Sequence, residues 1–227
     1  MIVLGIETAT DVCSAAVLRD GAVLAEASIH VPRSHATRLA PLVEQLLAHA
    51  RLTPADLDLI AVSAGPGSYT GLRIGASLAR GLSLATGAAL VGVGTLDALA
   101  ADAAPRRPSG WVVLAVLPSR RGEVYVMATR DEERLVSPQA VALADLPMLV
   151  LESIPRDNSV AVVGAGAQSA VGAVDDAYRS VIVLDVSPSA VRVARLGAAL
   201  HESGGGAPPL PFEPSYLGSF ATTPPRA

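Results

Sequence analysis

The chain has 227 residues, 51% hydrophobic, 17% charged and 3% aromatic, with a formal net charge of −4. That length allows one large domain or two small packed ones, with a core of Ala, Val, Leu and Ile burying roughly 70% of the unfolded surface, and the charge does not advertise nucleic-acid binding by the chain as a whole. A single cysteine, Cys13, excludes a disulfide framework and a cysteine-rich zinc site, while the absence of lysine (all 17 basic residues are arginine) excludes a P-loop and Schiff-base chemistry.

From the N-terminus, Ile2 to Ile6 is an apolar run of strand length that meets Glu7 with no basic segment before it, so it is not read as a secretory leader. After the polar break Thr8 to Asp11, Cys13 to Leu18 is a second strand. Asp20-Gly21, two residues tolerant of positive φ, predicts a hairpin into a third strand, Ala22 to Ile29. Leu39, Leu42, Val43, Leu46, Leu47 and Ala50 recur at helical spacing and form one apolar face, with Pro41 in the first turn or at a kink. Leu57 to Ser63 is a strand, Thr70 to Thr86 a helix, Ala89 to Val93 a strand and Thr95 to Ala103 a short helix. The weakly polar stretch 81–96 is shorter than the ~20 residues a bilayer needs, so no membrane association and a cytoplasmic location are expected.

Pro105 to Gly110 reads as a linker, after which the pattern restarts. Trp111 to Leu117, Glu123 to Thr129 and Glu133 to Ala142 are strands, Leu143 to Leu151 a short helix or extended segment, Val160 to Val163 a strand feeding Gly164-Ala165-Gly166, Val181 to Val186 a strand, and Ser189 to Ser203 a helix. The expected organisation is an N-terminal subdomain over 1–104, a C-terminal subdomain over 111–203 and a Gly/Pro-rich tail over 204–227. The two units share an order of elements without sharing sequence, and a cleft is expected between them. Strands that alternate with helices imply an α/β fold with mixed, largely parallel inner sheets.

The segment Gly65-Pro66-Gly67-Ser68-Tyr69-Thr70-Gly71-Leu72-Arg73 joins a buried strand to a helix. Its glycines permit a sharp turn and close backbone approach, Ser68 or Thr70 can cap the helix, and the helix N-terminus attracts anions. Gly71, Gly75 and Ala79 form a small-residue stripe. Two readings stand: an anion cradle, or a tight turn with close helix packing and no ligand. Glu7 and Thr8 end the first strand beside the presumed cleft and join the loop residues Gly65, Gly67, Ser68, Tyr69, Thr70, Gly71 and Arg73 as the candidate nucleotide or anion cleft. His30, His35, His49 and His201 show no metal spacing, since the position four after His35 is Leu39. Cys13 reads as a small core residue, and Arg106-Arg107 and Arg120-Arg121 as solvated loop charge.

Ile6-Glu7-Thr8-Ala9-Thr10 with Cys13-Ser14, then Arg33-Ser34-His35, then GPGSYTGLRIG over Gly65 to Gly75 and Gly92-Val93-Gly94-Thr95-Leu96, resemble in order the TsaB (YeaZ) family. The second half is looser. Arg121-Gly122-Glu123-Val124-Tyr125 resembles a family segment in which Asp-Ala stands where this chain has Pro118-Ser119. Glu213-Pro214-Ser215-Tyr216-Leu217 resembles another, with Gly218 in place of its Arg.

The resemblance implies an actin/Hsp70-like (ASKHA, RNase H-like) fold of two related subdomains, and a role in making the threonylcarbamoyl modification (t6A) of tRNAs that read ANN codons. It implies a subunit that is not catalytic on its own, pairs with the catalytic paralogue TsaD and is joined by the ATPase TsaE, with TsaC supplying threonylcarbamoyl-adenylate. tRNA is met through the complex, and a homodimer forms when TsaD is missing. No cofactor is its own, and ATP or ADP is expected at the complex interface. The paralogue holds its metal with an H-x-x-x-H pair, a frame that here reads His35-Ala36-Thr37-Arg38-Leu39. The expected partner faces are the helices 37–51 and 70–86, with Arg38, Leu39, Leu42, Leu46, Gly71, Gly75, Leu78 and Leu82 in contact. The competing readings are a stand-alone ATP-dependent kinase or ATPase of the same superfold, and a glycoprotease-like hydrolase.

Overall fold

The structure, a computed structural model, describes residues 1–131, 133–174 and 177–204. The 213–218 segment and nearly all of the Gly/Pro-rich tail lie outside the described residues.

The first lobe opens with the expected meander. Strands β1 (Ile2–Glu7), β2 (Cys13–Arg19) and β3 (Ala22–Ile29) pair antiparallel. Asp20 and Gly21 both take positive φ, at 49° and 80°, as a tight hairpin of matching twist requires. Helix α1 (His35–His49) buries Leu39, Leu42, Val43, Leu46 and Leu47, the face its spacing predicted, and it accommodates Pro41 within the helix. Strand β4 (Leu59–Gly65), helix α2 (Tyr69–Thr86) and strand β5 (Ala89–Gly94) follow, with β1, β4 and β5 parallel. The sheet order is β3-β2-β1-β4-β5.

After helix α3 (Thr95–Ala103) the second lobe repeats the plan with β6 (Val112–Pro118), β7 (Glu123–Arg130), β8 (Glu133–Ala142), α4 (Leu146–Ser153), β9 (Ser159–Val163), α5 (Ala167–Val174), β10 (Ser180–Leu184) and α6 (Ala190–Glu202). Its sheet order, β10-β9-β6-β7-β8, is the first lobe's order element for element. The predicted α/β class, with two related subdomains of the actin/Hsp70-like kind and mixed sheets parallel at their inner strands, is the fold observed. Helix α5 is the element whose bounds the sequence reading did not supply.

Each lobe has a core on either side of its sheet. In the first, α1 and α2 close one face over Leu4, Ile6, Val17 and Ile60. The opposite face is covered by α6, which comes from the far end of the chain and packs Ala190, Val193 and Ala194 on Val3, Ala61 and Val93. Small residues permit this approach: a Cβ on Gly5 would overlap the Ala190 carbonyl oxygen, and one on Gly197 would overlap the Ala61 side chain. Conversely α3 places Leu96, Leu99, Ala100 and Ala103 on Val113, Ala115, Leu117 and Val163 of the second sheet. The two helices thus cross over between the lobes. They are fastened to each other where Asp102 accepts hydrogen bonds from Ser189 Oγ at 2.8 Å and Arg192 Nε at 2.9 Å.

The arginine pairs are not wholly solvated. Arg107 is an ion-pair partner of Asp131 with its side chain only 5% exposed, Arg106 donates to the Asp185 carbonyl, and Arg120 pairs with Glu123. Three of the four loop arginines therefore serve local structure. Cys13 is a buried core residue, as expected. Among the described residues no helix is long and apolar enough to cross a membrane.

Candidate functional site

The parallel strands β1 and β4 end side by side, so Glu7-Thr8 and Gly65 arrive at the same edge of the sheet, where open α/β sheets place their ligand crevices. The second lobe presents its own counterparts, the end of β6 at Leu117-Pro118 and the turn Gly164-Ala165-Gly166 after β9. Gly65 and Gly164 both leave their central parallel strand with positive φ, 100° and 97°. The internal repeat thus extends to the two turns that face the cleft.

Glu7 is fully buried. One carboxyl oxygen accepts from the Ala9 N–H at 2.6 Å, while Oε2 is buried with no partner. Burial pushes this carboxyl up to about 7, against the opposing pull of the Ala9 N–H and the nearby Ser63 hydroxyl. Thr8 is also fully buried; its N–H donates to Ser63 Oγ at 3.1 Å, and its own hydroxyl has no partner. These two residues form the floor behind the cleft rather than its lining.

The glycine loop packs onto that floor. The Ser68 N–H donates to the Ala9 carbonyl at 2.7 Å, and Ser68 caps α2 by accepting from the Gly71 N–H at 3.2 Å. A Cβ on Gly67 would overlap the Ala9 carbonyl oxygen, one on Gly71 the Thr8 carbonyl oxygen, and one on Gly75 the Thr8 hydroxyl. The small-residue stripe therefore lets α2 lie against the end of its own β1. These contacts supply the close packing at Gly67, Gly71 and Gly75.

Two cavities border the loop. The interlobe one, about 200 Å³, is lined by Ala9, Thr10, Asp11, Gly67, Ser68, Leu117, Pro118 and Ala165. It is smaller than the roughly 300–1,000 Å³ of ligand pockets, it is lined by the Asp11 carboxylate, and the glycines beside it are filled by backbone carbonyls. The second cavity, about 470 Å³, lies between the first turns of α1 and α2 and is bordered by Ser68, Thr70 and Gly71 together with Thr10, Asp11 and His35. Tyr69 and Arg73 line neither; the Arg73 guanidinium lies 4.1 Å from the Tyr69 ring centroid, one helical turn along the surface of α2. Of the nine residues grouped as a cleft, Gly67, Ser68 and Thr70 border the cavities with exposed or half-buried surface, Gly71 borders one while itself buried, Glu7, Thr8 and Gly65 are buried, and Tyr69 and Arg73 are turned outward.

The residues expected at a partner face divide similarly. Leu39, Leu42, Leu46, Gly71 and Gly75 are buried within the chain, Arg38 is exposed, and Leu78 and Leu82 are half-buried. Leu78 and Leu82 border a groove of about 340 Å³ between α1 and α2, with Ala40, Val43, Glu44 and Leu47 opposite. Leu39 is 1% exposed, inside the core. Among the described residues no three His, Cys, Asp or Glu side chains gather closely enough to hold a metal.

The sequence reading did not place Asp11, Arg33 or Leu117 at a site. The doublet Gly164-Ala165-Gly166, spaced like Gly65-Pro66-Gly67, was the available signal for the second wall of the cleft.

The family model of TsaD, tRNA N6-adenosine threonylcarbamoyltransferase, matches residues 23–175. The tRNA threonylcarbamoyladenosine biosynthesis protein TsaB of Escherichia coli is 35% identical over 171 residues, covering 74% of this chain and 73% of that protein. TsaB of Bacillus subtilis is 33% identical over 72% of this chain and 71% of its own length. A crystal structure of a Pseudomonas aeruginosa protein, described as uncharacterized with similarity to peptidase YEAZ, superposes with a TM-score of 0.79 at 26% identity, covering 96% of this chain and 99% of that one. With these likenesses spanning both lobes and the loop motif seated as described, the chain belongs to the TsaB/YeaZ family of tRNA threonylcarbamoyladenosine biosynthesis.

Proposed function

We propose that this chain is the non-catalytic, scaffolding subunit of the t6A machinery, pairing with the catalytic TsaD through the α1/α2 face, with TsaE joining the pair and tRNA met through the assembly. The observation that carries this reading is the apolar groove between α1 and α2. Val43, Leu47, Leu52, Leu78 and Leu82 border it, and Ala40 and Ala48 keep the α1 wall low enough for a partner helix to approach. Two sites support the non-catalytic part. The frame that holds metal in the paralogue has buried Leu39 as its second member, and the interlobe cleft is small and lined by Asp11. ATP or ADP, on this reading, enters at a subunit interface rather than in this chain's own cleft. In the absence of TsaD the same groove pairs two copies of this chain.

Leu78 and Leu82 are the residues to change, because the buried Leu39, Leu42 and Leu46 would report on folding instead. The expected result is that Leu78→Glu with Leu82→Glu stays folded by circular dichroism but loses capture of co-expressed TsaD. In cells depleted of the native protein it then fails to restore t6A measured by mass spectrometry, while the wild-type chain restores it. Undiminished capture by the folded variant refutes the interface; failure of the wild-type chain to restore t6A refutes the role.

A further inference from the structure

Helix α6 covers the first sheet on the face opposite α1 and α2, where it buries Ala190, Val193, Ala194 and Gly197. Leu196 and Leu200, one turn apart on α6, keep surface outside that packing: Leu196 is half-buried and Leu200 is 38% exposed. With Val93 and Ala199 they line an apolar groove of about 460 Å³, separate from the interlobe cavity and from the α1/α2 groove. Its rim carries the ion pair of Asp97, on α3, with Arg134, on β8, so the groove runs along the seam where the lobes meet. Ser203, where α6 stops, is also on the lining.

The sequence that continues from this groove differs in kind from the rest of the chain. Residues 205–227 hold Phe212, Tyr216 and Phe220, which are three of the chain's seven aromatic residues and both of its phenylalanines, together with Leu210 and Leu217. Segments that remain in solvent are poor in aromatic residues, because they have nothing to bury them against. The groove is within reach of these side chains. Gly204 leaves α6 at a φ of 74°, with its N–H on the His201 carbonyl at 3.1 Å, the left-handed exit that turns a chain off the helix axis. Leu196 lies about 10 Å back along α6 from Ser203, whereas the chain from Ser203 to Phe212 can extend to roughly 30 Å. The exit and this groove share one side of the first sheet, and the α1/α2 groove is on the other.

We propose that segment 210–220 of this same chain folds back over the groove as a strap, setting its phenylalanine rings against Leu196 and Leu200 beside the Asp97–Arg134 pair. The rings bring large apolar area to a lining of leucine, valine and alanine, and the strap closes the seam between the lobes. It leaves the α1/α2 face free and does not rest on the pairing proposed above.

Because both phenylalanines lie in 205–227, phenylalanine-selective labelling of the full chain reports on that segment alone. The expected result is nuclear Overhauser contact between a phenylalanine ring and the Leu196 and Leu200 methyls, within one copy when differently labelled copies are mixed. Limited chymotrypsin digestion supplies the second readout. Leu200→Arg should speed cleavage after Phe212 and Phe220 by about fivefold or more, whereas Leu84→Arg, at an exposed leucine of α2, should leave it unchanged. Contacts only between copies would assign the groove to a second chain, and no contact from either ring would leave it to another partner; either result overturns the strap. Cleavage equally fast in wild type and Leu200→Arg overturns it as well.

Discussion

Replacing Glu7 by glutamine probes the buried end of β1 directly. The wild-type carboxyl has an ordinary value of 4.5 and is raised to about 7 in the fold, chiefly because burial disfavours its charge. As pH rises the unfolded chain therefore gives up this proton first. Glu7 leaves stability untouched below about 4.5, lowers it progressively between about 4.5 and about 7, and holds it at the lower level above that. The gap corresponds to about 3 kcal/mol, at roughly 1.36 kcal/mol per tenfold change in proton affinity. Glutamine cannot ionise, and its carbonyl can still accept from the Ala9 N–H. Urea unfolding of both proteins from about pH 4 to about pH 8, with equal m-values, isolates the effect because every other titrating group cancels in the difference. Glu7→Gln should gain on the wild type by about 3 kcal/mol across that range, most of it between about pH 4.5 and 7. A difference flat to within about 0.5 kcal/mol would mean that the carboxylate is charged and partnered in the folded chain, and would refute the reasoning.

Two further perturbations follow from packing. Gly71→Ala should destabilise by about 1–3 kcal/mol, because its Cβ overlaps the Thr8 carbonyl oxygen, whereas Gly81→Ala on the same helix has open space and should stabilise by about 0.5–1 kcal/mol; paired thermal melts compare them. Asp102→Ala removes the acceptor shared by Ser189 and Arg192, severs the tie between α3 and α6, and should cost about 1–2 kcal/mol after allowance for partial exposure, read by urea unfolding.

Much of the fold was legible because its signals are local. The apolar runs of β1 and β6, the Asp20-Gly21 turn and the 3.6-residue period of α1 each follow from neighbours within a few positions, and each appears where expected. Helix α5 escaped because Ala167-Gln168-Ser169-Ala170-Val171-Gly172 is short, small and weakly patterned. The loop 65–73 was located correctly, yet its glycines could not be told apart by type. What distinguishes Gly71 from Gly81 is the Thr8 carbonyl, 63 residues away in the chain and brought up only by the parallel pairing of β1 with β4.

The same division holds for the site. Family, fold class and the order of elements were determined by the sequence alone, since they rest on motif strings and periodicities that a chain carries unfolded. Which residues line a cavity and which are core was decided by tertiary packing. Helices α3 and α6 exchange lobes, the end of β1 sinks Glu7 and Thr8 out of solvent, and the starts of α1 and α2 border one cavity lined by Arg33, His35 and Thr70. Those are relations between distant segments, set by strand order and helix crossing, and no local pattern of residues encodes them.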